Sequence, residues 1–206
     1  MPDRDPFARQ DPSDDSLFYA QPRLVDHIDD GARAALREHY GSLLPRGGRI
    51  LDLMSAWSSH LPEDPRGGSH PYEEVVGLGM NEVELAENAQ LDSLVIHDLN
   101  QQPVLAFEED TFDAAVCTVS VQYLTRPVEV FCELARVVCS GGPVMVAFSN
   151  RCFPTKAVAL WHMGGDDHHS EIIRAYFTRA GFEDIVSQRL VSPDDPMFVA
   201  SARSPG

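Results

Sequence analysis

Basic residues are scarce in this chain. Its 206 residues include 16 Lys and Arg against 32 Asp and Glu, which gives a formal net charge of −16 at pH 7. A negative field of that size repels phosphate backbones and anionic lipid surfaces, so we expect neither a nucleic acid nor a membrane as partner. The composition therefore favours a small-molecule ligand.

Paired cysteines and long apolar runs are also missing. The four cysteines show no CxxC spacing, so we expect neither a disulfide framework nor a cysteine-based zinc site. No apolar stretch approaches the ~20 residues that a membrane span needs. The first residues lack a basic region followed by an apolar run, so we expect no signal peptide. These absences predict a cytoplasmic protein.

The beginning of the chain differs in composition from the rest. Residues 1–16 hold three prolines and five aspartates, which predicts a flexible acidic tail. Residues 17–206 are predicted to form a single domain, because a chain of this length suits one hydrophobic core. Within that domain, residues 17–45 are predicted to form an N-terminal helical lid, in which Leu24, Val25 and Ile28 share one face.

Strands and helices alternate along the remainder. The predicted strands cover residues 49–53, 73–78, 94–97, 112–119, 144–148, 183–190 and 197–202, and the predicted helices cover 81–90, 127–138 and 171–180. Apolar strands that alternate with helices indicate a sheet covered on both faces, whereas the last two strands leave no room for a helix between them. The sequence predicts an α/β fold with a doubly wound, mostly parallel seven-stranded sheet, a C-terminal antiparallel strand pair and helices on both faces.

A series of short motifs follows the third predicted strand. They are Asp98-Leu99-Asn100, residues 107–113 with the ending Phe-Asp, Tyr123-Leu124, residues 133–137 with the sequence ELARV, and Gly141-Gly142. This order resembles the S-adenosylmethionine (SAM)-dependent methyltransferases with a Rossmann-like fold, in particular their small-molecule, type 11-like group, over about residues 49–202. The resemblance implies SAM as the cofactor and methyl transfer to a small metabolite.

The resemblance also implies where the cofactor lies. In that family, the turn after the first strand approaches the amino-acid end of SAM, the end of the second strand binds the ribose, and an acid after the third strand meets the adenine. An N-terminal segment often closes the cleft. The corresponding positions of this chain are Tyr19, Asp52, Met54, Ser55, Gly79, Met80, Asn81, Asp98 and Leu99.

Glycines and an acid are missing from these positions. The family carries glycine where this chain has Met54 and Ala56, and an acid where it has Gly79. Two charge-assisted hydrogen bonds to the ribose, at ~1.5 kcal/mol each, correspond to roughly a hundredfold in affinity. The departures support an alternative: a methyltransferase-fold protein that does not transfer methyl, with a binding or regulatory role or a different reaction. An NAD(P)-dependent oxidoreductase is a weaker third hypothesis, since the GxGxxG pattern is absent.

Three residues near the predicted cleft have two interpretations each. Asp52 either lies near the amino-acid end of SAM or caps the backbone amides of residues 55–57. Asp98 either accepts a hydrogen bond from the adenine amino group or caps a loop turn. Trp57 either forms a wall of the pocket or fills the space that a longer helix would occupy.

Polar residues after the fourth and fifth strands are expected to face the substrate, because ligands bind at the carboxyl ends of parallel strands. Ser120 and Arg151 are the candidate substrate-binding residues. The forked guanidinium of Arg151 suits an anionic group on the substrate. The alternative is that Arg151 pairs with surface acids.

Catalysis by such a protein rests mainly on alignment of the acceptor atom with the methyl group. A general base is needed only for an oxygen or a protonated nitrogen acceptor, and the candidate catalytic residues are Tyr123, Asn150 and His168. Tyr123 is alternatively a core aromatic. We expect no metal site at residues 166–169, because adjacent side chains rarely converge on one ion. The sequence leaves the acceptor and the oligomeric state open.

Overall fold

The computed structural model of the chain describes residues 5–190 and 196–206. The helices in these ranges are α1 (Asp15–Phe18), α2 (Asp30–Leu43), α3 (Glu82–Ala86), α4 (Pro127–Val137) and α5 (Asp166–Arg179). The strands are β1 (Arg49–Leu53), β2 (Glu74–Gly79), β3 (Ser93–Ile96), β4 (Ala114–Thr118), β5 (Pro143–Ser149), β6 (Glu183–Leu190) and β7 (Met197–Arg203). None of these helices has the length and apolar character that crossing a membrane requires.

The seven strands form one sheet in the order β3-β2-β1-β4-β5-β7-β6. Neighbouring strands from β3 to β5 are parallel. β7 runs antiparallel to both β5 and β6, so the C-terminal pair closes one side of the sheet. The predicted α/β fold and its antiparallel strand pair are confirmed.

Both faces of the sheet are buried. Successive residues of a strand point to opposite faces, so Ile50 contributes to one apolar cluster and Leu51 to the other. α2 covers the first face through buried residues such as Leu36, whereas α4 and α5 cover the second face through Phe131 and Phe177. This two-sided burial explains the nearly continuous apolar composition of the strands.

The predicted helix through Leu24, Val25 and Ile28 is wrong. Residues 20–29 are not helical, and the side chains of Leu24 and Val25 are about half exposed. The backbone of this segment instead makes tertiary hydrogen bonds, since the Val25 carbonyl accepts from Trp57 Nε1 at 2.9 Å. α2 begins only at Asp30, after Asp29 caps it by accepting from the Ala32 N–H.

The N-terminal segment is held against the domain by one buried lysine. Lys156 is fully buried, and it is the single lysine of the chain. Its Nζ lies 3.1 Å from Asp15 Oδ1 and 3.3 Å from Asp11 Oδ2. Asp15 also pairs with Arg9 and accepts from Asn100 Nδ2 at 2.8 Å. We call Arg9, Asp11, Asp15, Asn100 and Lys156 the N-terminal clamp. The described part of the predicted acidic tail is therefore packed on the domain, and the boundaries proposed for tail and domain stay predictions.

Candidate cofactor cleft

A cleft of about 380 Å³ lies at the carboxyl ends of the parallel strands. The strand order reverses direction here, because β2 lies on one side of β1 and β4 on the other. Open α/β sheets bind ligands at such a switch point, and small-molecule sites have volumes of roughly 300–1,000 Å³. The N-terminal segment covers the cleft through residues that include Tyr19 and His27.

Strained backbone surrounds this cleft. Met54, directly after β1, has a φ of 57°, and Val119, directly after β4, has a φ of 48°. Left-handed φ values are uncommon for residues other than glycine, and they are costly for a β-branched side chain such as valine. Met54 thus adopts a backbone conformation that glycine adopts readily, while its side chain adds apolar surface to the cleft wall. The altered turn retains the shape of a glycine turn.

The end of β2 has no room for a side chain. The Ser55 N–H donates to the Leu78 carbonyl at 2.8 Å, which brings the turn after β1 against β2. A Cβ placed on Gly79 would lie 2.3 Å from the Ser55 carbonyl oxygen. An acid at position 79 would therefore collide with the backbone of the turn after β1.

Asn81 fixes the edge of the cleft beyond β2. It caps α3, with Oδ1 accepting from the N–H groups of Val83 and Glu84. Its Nδ2 donates to the Tyr19 carbonyl at 2.7 Å. The predicted lid residue Tyr19 thus lies beside Asn81 and lines the cleft, and burial raises the pKa of its phenol.

Asp98 and Leu99 reach the cleft from the end of β3, together with Met80 after β2. Asp98 Oδ1 accepts from the N–H of Asn100 at 2.9 Å, so the carboxylate caps the loop turn. It also lines the cleft, beside the buried Leu99. The two interpretations of Asp98 are therefore compatible in one geometry.

Asp52 lies behind the turn. It lines a smaller pocket next to the cleft, together with Trp57. Its Oδ2 accepts from Ser55 Oγ at 2.6 Å, whereas the Ser55 N–H is bonded to Leu78, so Asp52 does not cap that amide. Burial raises the pKa of Asp52 to about 6, against hydrogen bonds from Ser55 and Ser59 that lower it. Asp52 thus supports the turn through the Ser55 hydroxyl.

The raised pKa of Asp52 predicts a pH dependence of stability. Between about pH 4 and pH 6 the unfolded chain has released this proton while the folded protein holds it, so stability falls as the pH rises through that window. An asparagine side chain does not titrate, so we expect the fall in unfolding free energy over this pH window to be smaller in Asp52→Asn by on the order of 2–3 kcal/mol. Urea unfolding of both proteins from pH 4 to pH 7 measures it, and equal pH slopes would contradict the assignment.

Two of the predicted substrate-side residues and one catalytic candidate meet in the cleft. Ser120, Arg151 and Tyr123 all line it. The Tyr123 hydroxyl accepts from the Phe153 N–H at 2.8 Å, and burial raises its pKa to about 12. Tyr123 therefore remains a neutral phenol at pH 7, which suits a hydrogen-bond donor and disfavours a general base.

The other two catalytic candidates are not brought to the cleft. Asn150 is an exposed residue that follows β5. His168 lies in the first turn of α5, and its Nε2 is 3.3 Å from the Leu160 carbonyl oxygen. Neither belongs to the lining in the parts of the chain that the structure describes. α5 packs on α4 and on β6 and β7, which lie at the opposite edge of the sheet from β2 and β3.

Sequence reasoning missed several cleft residues. His27 and Arg23 come from the non-helical part of the N-terminal segment, Glu84 from the first turn of α3, and Phe153 from the loop after β5. The His27 ring meets Phe153 edge-on at 5.3 Å, and burial lowers its pKa while Glu84 opposes that shift. The signal that the sequence offered was Tyr19, which the resemblance places in an N-terminal segment that closes the cleft.

Comparison with known proteins agrees with this geometry. The methyltransferase domain family matches residues 67–146, from the loop before β2 into β5. The match includes β2, β3 and β4 and leaves out the turn after β1. A search of curated proteins found no sequence match.

Solved structures share the fold. One is a protein assigned as a methyltransferase in complex with the Haloferax volcanii methyltransferase activator Trm112, with a TM-score of 0.64, 15% identity, and coverage of 85% of this chain and 90% of that one. Another is phosphoethanolamine N-methyltransferase 2 of Haemonchus contortus with bound SAM, with a TM-score of 0.58, 13% identity, and coverage of 84% and 52%.

A third structure has the same fold and a different printed activity. It is the [4+2]-cyclase SpnF, with a TM-score of 0.59, 15% identity, and coverage of 92% of this chain and 91% of that one. At these identities the likeness shows the fold alone. The chain thus resembles SAM-dependent methyltransferases in sequence over residues 67–146 and in fold over most of its length.

Proposed function

We propose that this chain, which has the fold of the SAM-dependent methyltransferases, binds SAM in the 380 Å³ cleft and transfers its methyl group to a small metabolite. The single observation that carries the proposal is the turn after β1. Met54 keeps a glycine-like φ of 57° there, at the strand end where such a cofactor lies. Strained backbone of this kind is concentrated at ligand sites in proteins, which supports a ligand at this turn.

The residues of the cleft fit the cofactor in all parts except the ribose position. Met54, Ser55 and Ala56 would lie along its amino-acid end, and Asp98 and Leu99 would meet the adenine. When bound, SAM supplies an electrophilic methyl group. Tyr19 and the N-terminal segment exclude water from the cleft, and the N-terminal clamp holds that segment in place. Alignment in a closed site is then the main contribution of the protein.

The acceptor side of the cleft carries a neutral base and cations. Burial lowers the pKa of His27, so its ring is uncharged at pH 7 and suits removal of a proton from an oxygen or nitrogen acceptor. Arg151 and Ser120 line the same cleft and suit an anionic group on the metabolite. These roles, the small-molecule substrate and the cytoplasmic location are proposals supported by charge and placement.

Methyl transfer is tested by release of S-adenosylhomocysteine from SAM. The purified protein is incubated with SAM and with pools of carboxylic acids, phosphate esters, phenols and amines, and the product is measured by mass spectrometry. We expect at least one pool to raise product formation above the acceptor-free rate. His27→Gln should lower that rate without lowering SAM affinity, if the acceptor must lose a proton.

The alternative, a methyltransferase-fold protein that does not transfer methyl, rests on the Met54 side chain in the cleft and on the fold likeness to a protein named as a cyclase. Met54→Gly separates the two. We expect parent and variant to bind SAM within about tenfold of each other, roughly 1.4 kcal/mol, because the backbone of the turn is unchanged. Binding by the variant alone would favour the alternative.

A further inference from the structure

Position 79 cannot supply the carboxylate that the ribose hydroxyls of a bound adenosyl group need. A side chain there would collide with the Ser55 carbonyl, 2.3 Å from an ideal Cβ. Two hydroxyls buried without acceptors cost binding free energy, since each loses its hydrogen bonds to water. Another group of the cleft must accept them if the cofactor is to bind well.

Most polar groups near the end of β2 are already engaged. Both ends of the Asn81 amide are used, by the N–H groups of α3 and by the carbonyls of residues 19 and 20. The cleft carboxylates of Asp15 and Asp26 pair with Lys156 and Arg33, respectively. Asp98 accepts backbone N–H groups at the adenine end. Once these engaged groups are set aside, one cleft carboxylate near Gly79 remains to accept from a ligand.

We propose that Glu84 takes the place of the missing acid and binds the ribose hydroxyls of the cofactor. This inference rests on the proposed function. Glu84 lies five residues after Gly79, in the first turn of α3, and its side chain lines the cleft. It is 8% exposed, so a hydrogen bond to it is shielded from water.

One oxygen of Glu84 is available for this role. Oε1 accepts from the Arg23 N–H at 2.7 Å, which fixes the carboxylate and joins it to the N-terminal segment. Among the described residues, no hydrogen-bond donor contacts Oε2. Because Glu84 lines the cleft, a ligand bound there can donate a hydrogen bond to this oxygen. A vicinal diol is a donor of the required kind.

The same contact links cofactor binding to closure. Arg23 stacks on the Phe18 ring, with its guanidinium carbon 4.6 Å from the ring centre, and donates to the Phe18 carbonyl. Glu84 would therefore contact the ribose with one oxygen and hold Arg23, which packs on the Phe18 ring of the lid, with the other. The family's acid at the end of β2 is replaced by an acid on the following helix that also anchors the lid.

The test compares two ligands and three proteins by calorimetric titration. The ligands are S-adenosylhomocysteine and its 2′,3′-dideoxy analogue, and the proteins are the parent, Glu84→Gln and Glu82→Gln. Glu82 is the matched control, because it lies in the same first turn but is exposed. Glu84→Gln keeps an oxygen for the Arg23 N–H, so the lid contact survives.

We expect Glu84→Gln to weaken S-adenosylhomocysteine binding by about 10- to 100-fold, with little change for the dideoxy analogue and none for Glu82→Gln. An unchanged affinity, or an equal loss for both ligands, would overturn the role of Glu84 while leaving the proposed function standing. No binding of either ligand to the parent would overturn both. Glu84→Asp keeps the charge and provides a second folded variant, with an intermediate loss expected.

Discussion

Lys156→Met is expected to destabilise the protein by about 3–5 kcal/mol, the cost of breaking a buried ion pair. The substitution removes a fully buried ammonium and leaves Asp15, which is 3% exposed, with a less compensated charge. Because Lys156 also donates to the Ser13 carbonyl at 2.8 Å, the segment that leads to Tyr19 loses its anchor. We expect SAM affinity to fall by at least about tenfold, roughly 1.4 kcal/mol.

Urea unfolding and calorimetric titration measure the two effects. Arg66→Met is the control, because its pair with Asp64 is on the surface and the Arg66 side chain is 82% exposed. Loss of such a pair changes stability by less than about 1 kcal/mol. If Lys156→Met and Arg66→Met had equal effects, the N-terminal clamp would have no role in stability or closure.

Gly79→Asp is expected to weaken SAM binding, although it restores the acid that the family carries. The collision with the Ser55 carbonyl must displace the turn after β1, and we expect a loss of about 3 kcal/mol of stability from overpacking against backbone. Gly79→Ala should show most of that loss, because the Cβ alone makes the contact. The expected loss of stability comes from steric overlap and not from backbone strain, since Gly79 does not have a positive φ.

Gly41→Ala controls for the loss of a glycine. A Cβ at position 41, inside α2, makes only ordinary van der Waals contact with Pro62, so we expect stability to stay the same or to rise by less than about 1 kcal/mol. Chemical unfolding reports stability, and titration with SAM reports binding. Tighter SAM binding by Gly79→Asp would show that the two loops separate easily and that the packing described here does not exclude the acid.

The fold was predictable because each strand and helix carries its own signal. Apolar runs such as β5 can be buried only inside a covered sheet, and the Gly141-Gly142 pair marks the end of the preceding helical pattern. The helix through Leu24 was predicted wrongly. The Arg23 N–H donates to Glu84 and the Val25 carbonyl accepts from Trp57, and these tertiary hydrogen bonds outweigh the weak helical pattern of the side chains.

The site was predictable where it follows from strand ends. Asp98, Leu99 and residues 79–81 lie together because the carboxyl ends of parallel strands meet at one edge. His27 was not predicted, because its position depends on the path of an irregular segment. Glu84 was not predicted, because an acid in the first turn of a helix is expected from the helix dipole alone. His168 does not line the cleft among the described residues, and its Nε2 lies against the Leu160 carbonyl oxygen instead.

The measurement that tests this account most directly is calorimetric titration of the unmodified protein with SAM and with S-adenosylhomocysteine. The glycine-like turn at Met54 and the available carboxylate of Glu84 predict binding of both ligands with micromolar dissociation constants, on the order of −8 kcal/mol. No binding at millimolar ligand would contradict the account and would leave a methyltransferase fold that serves another ligand.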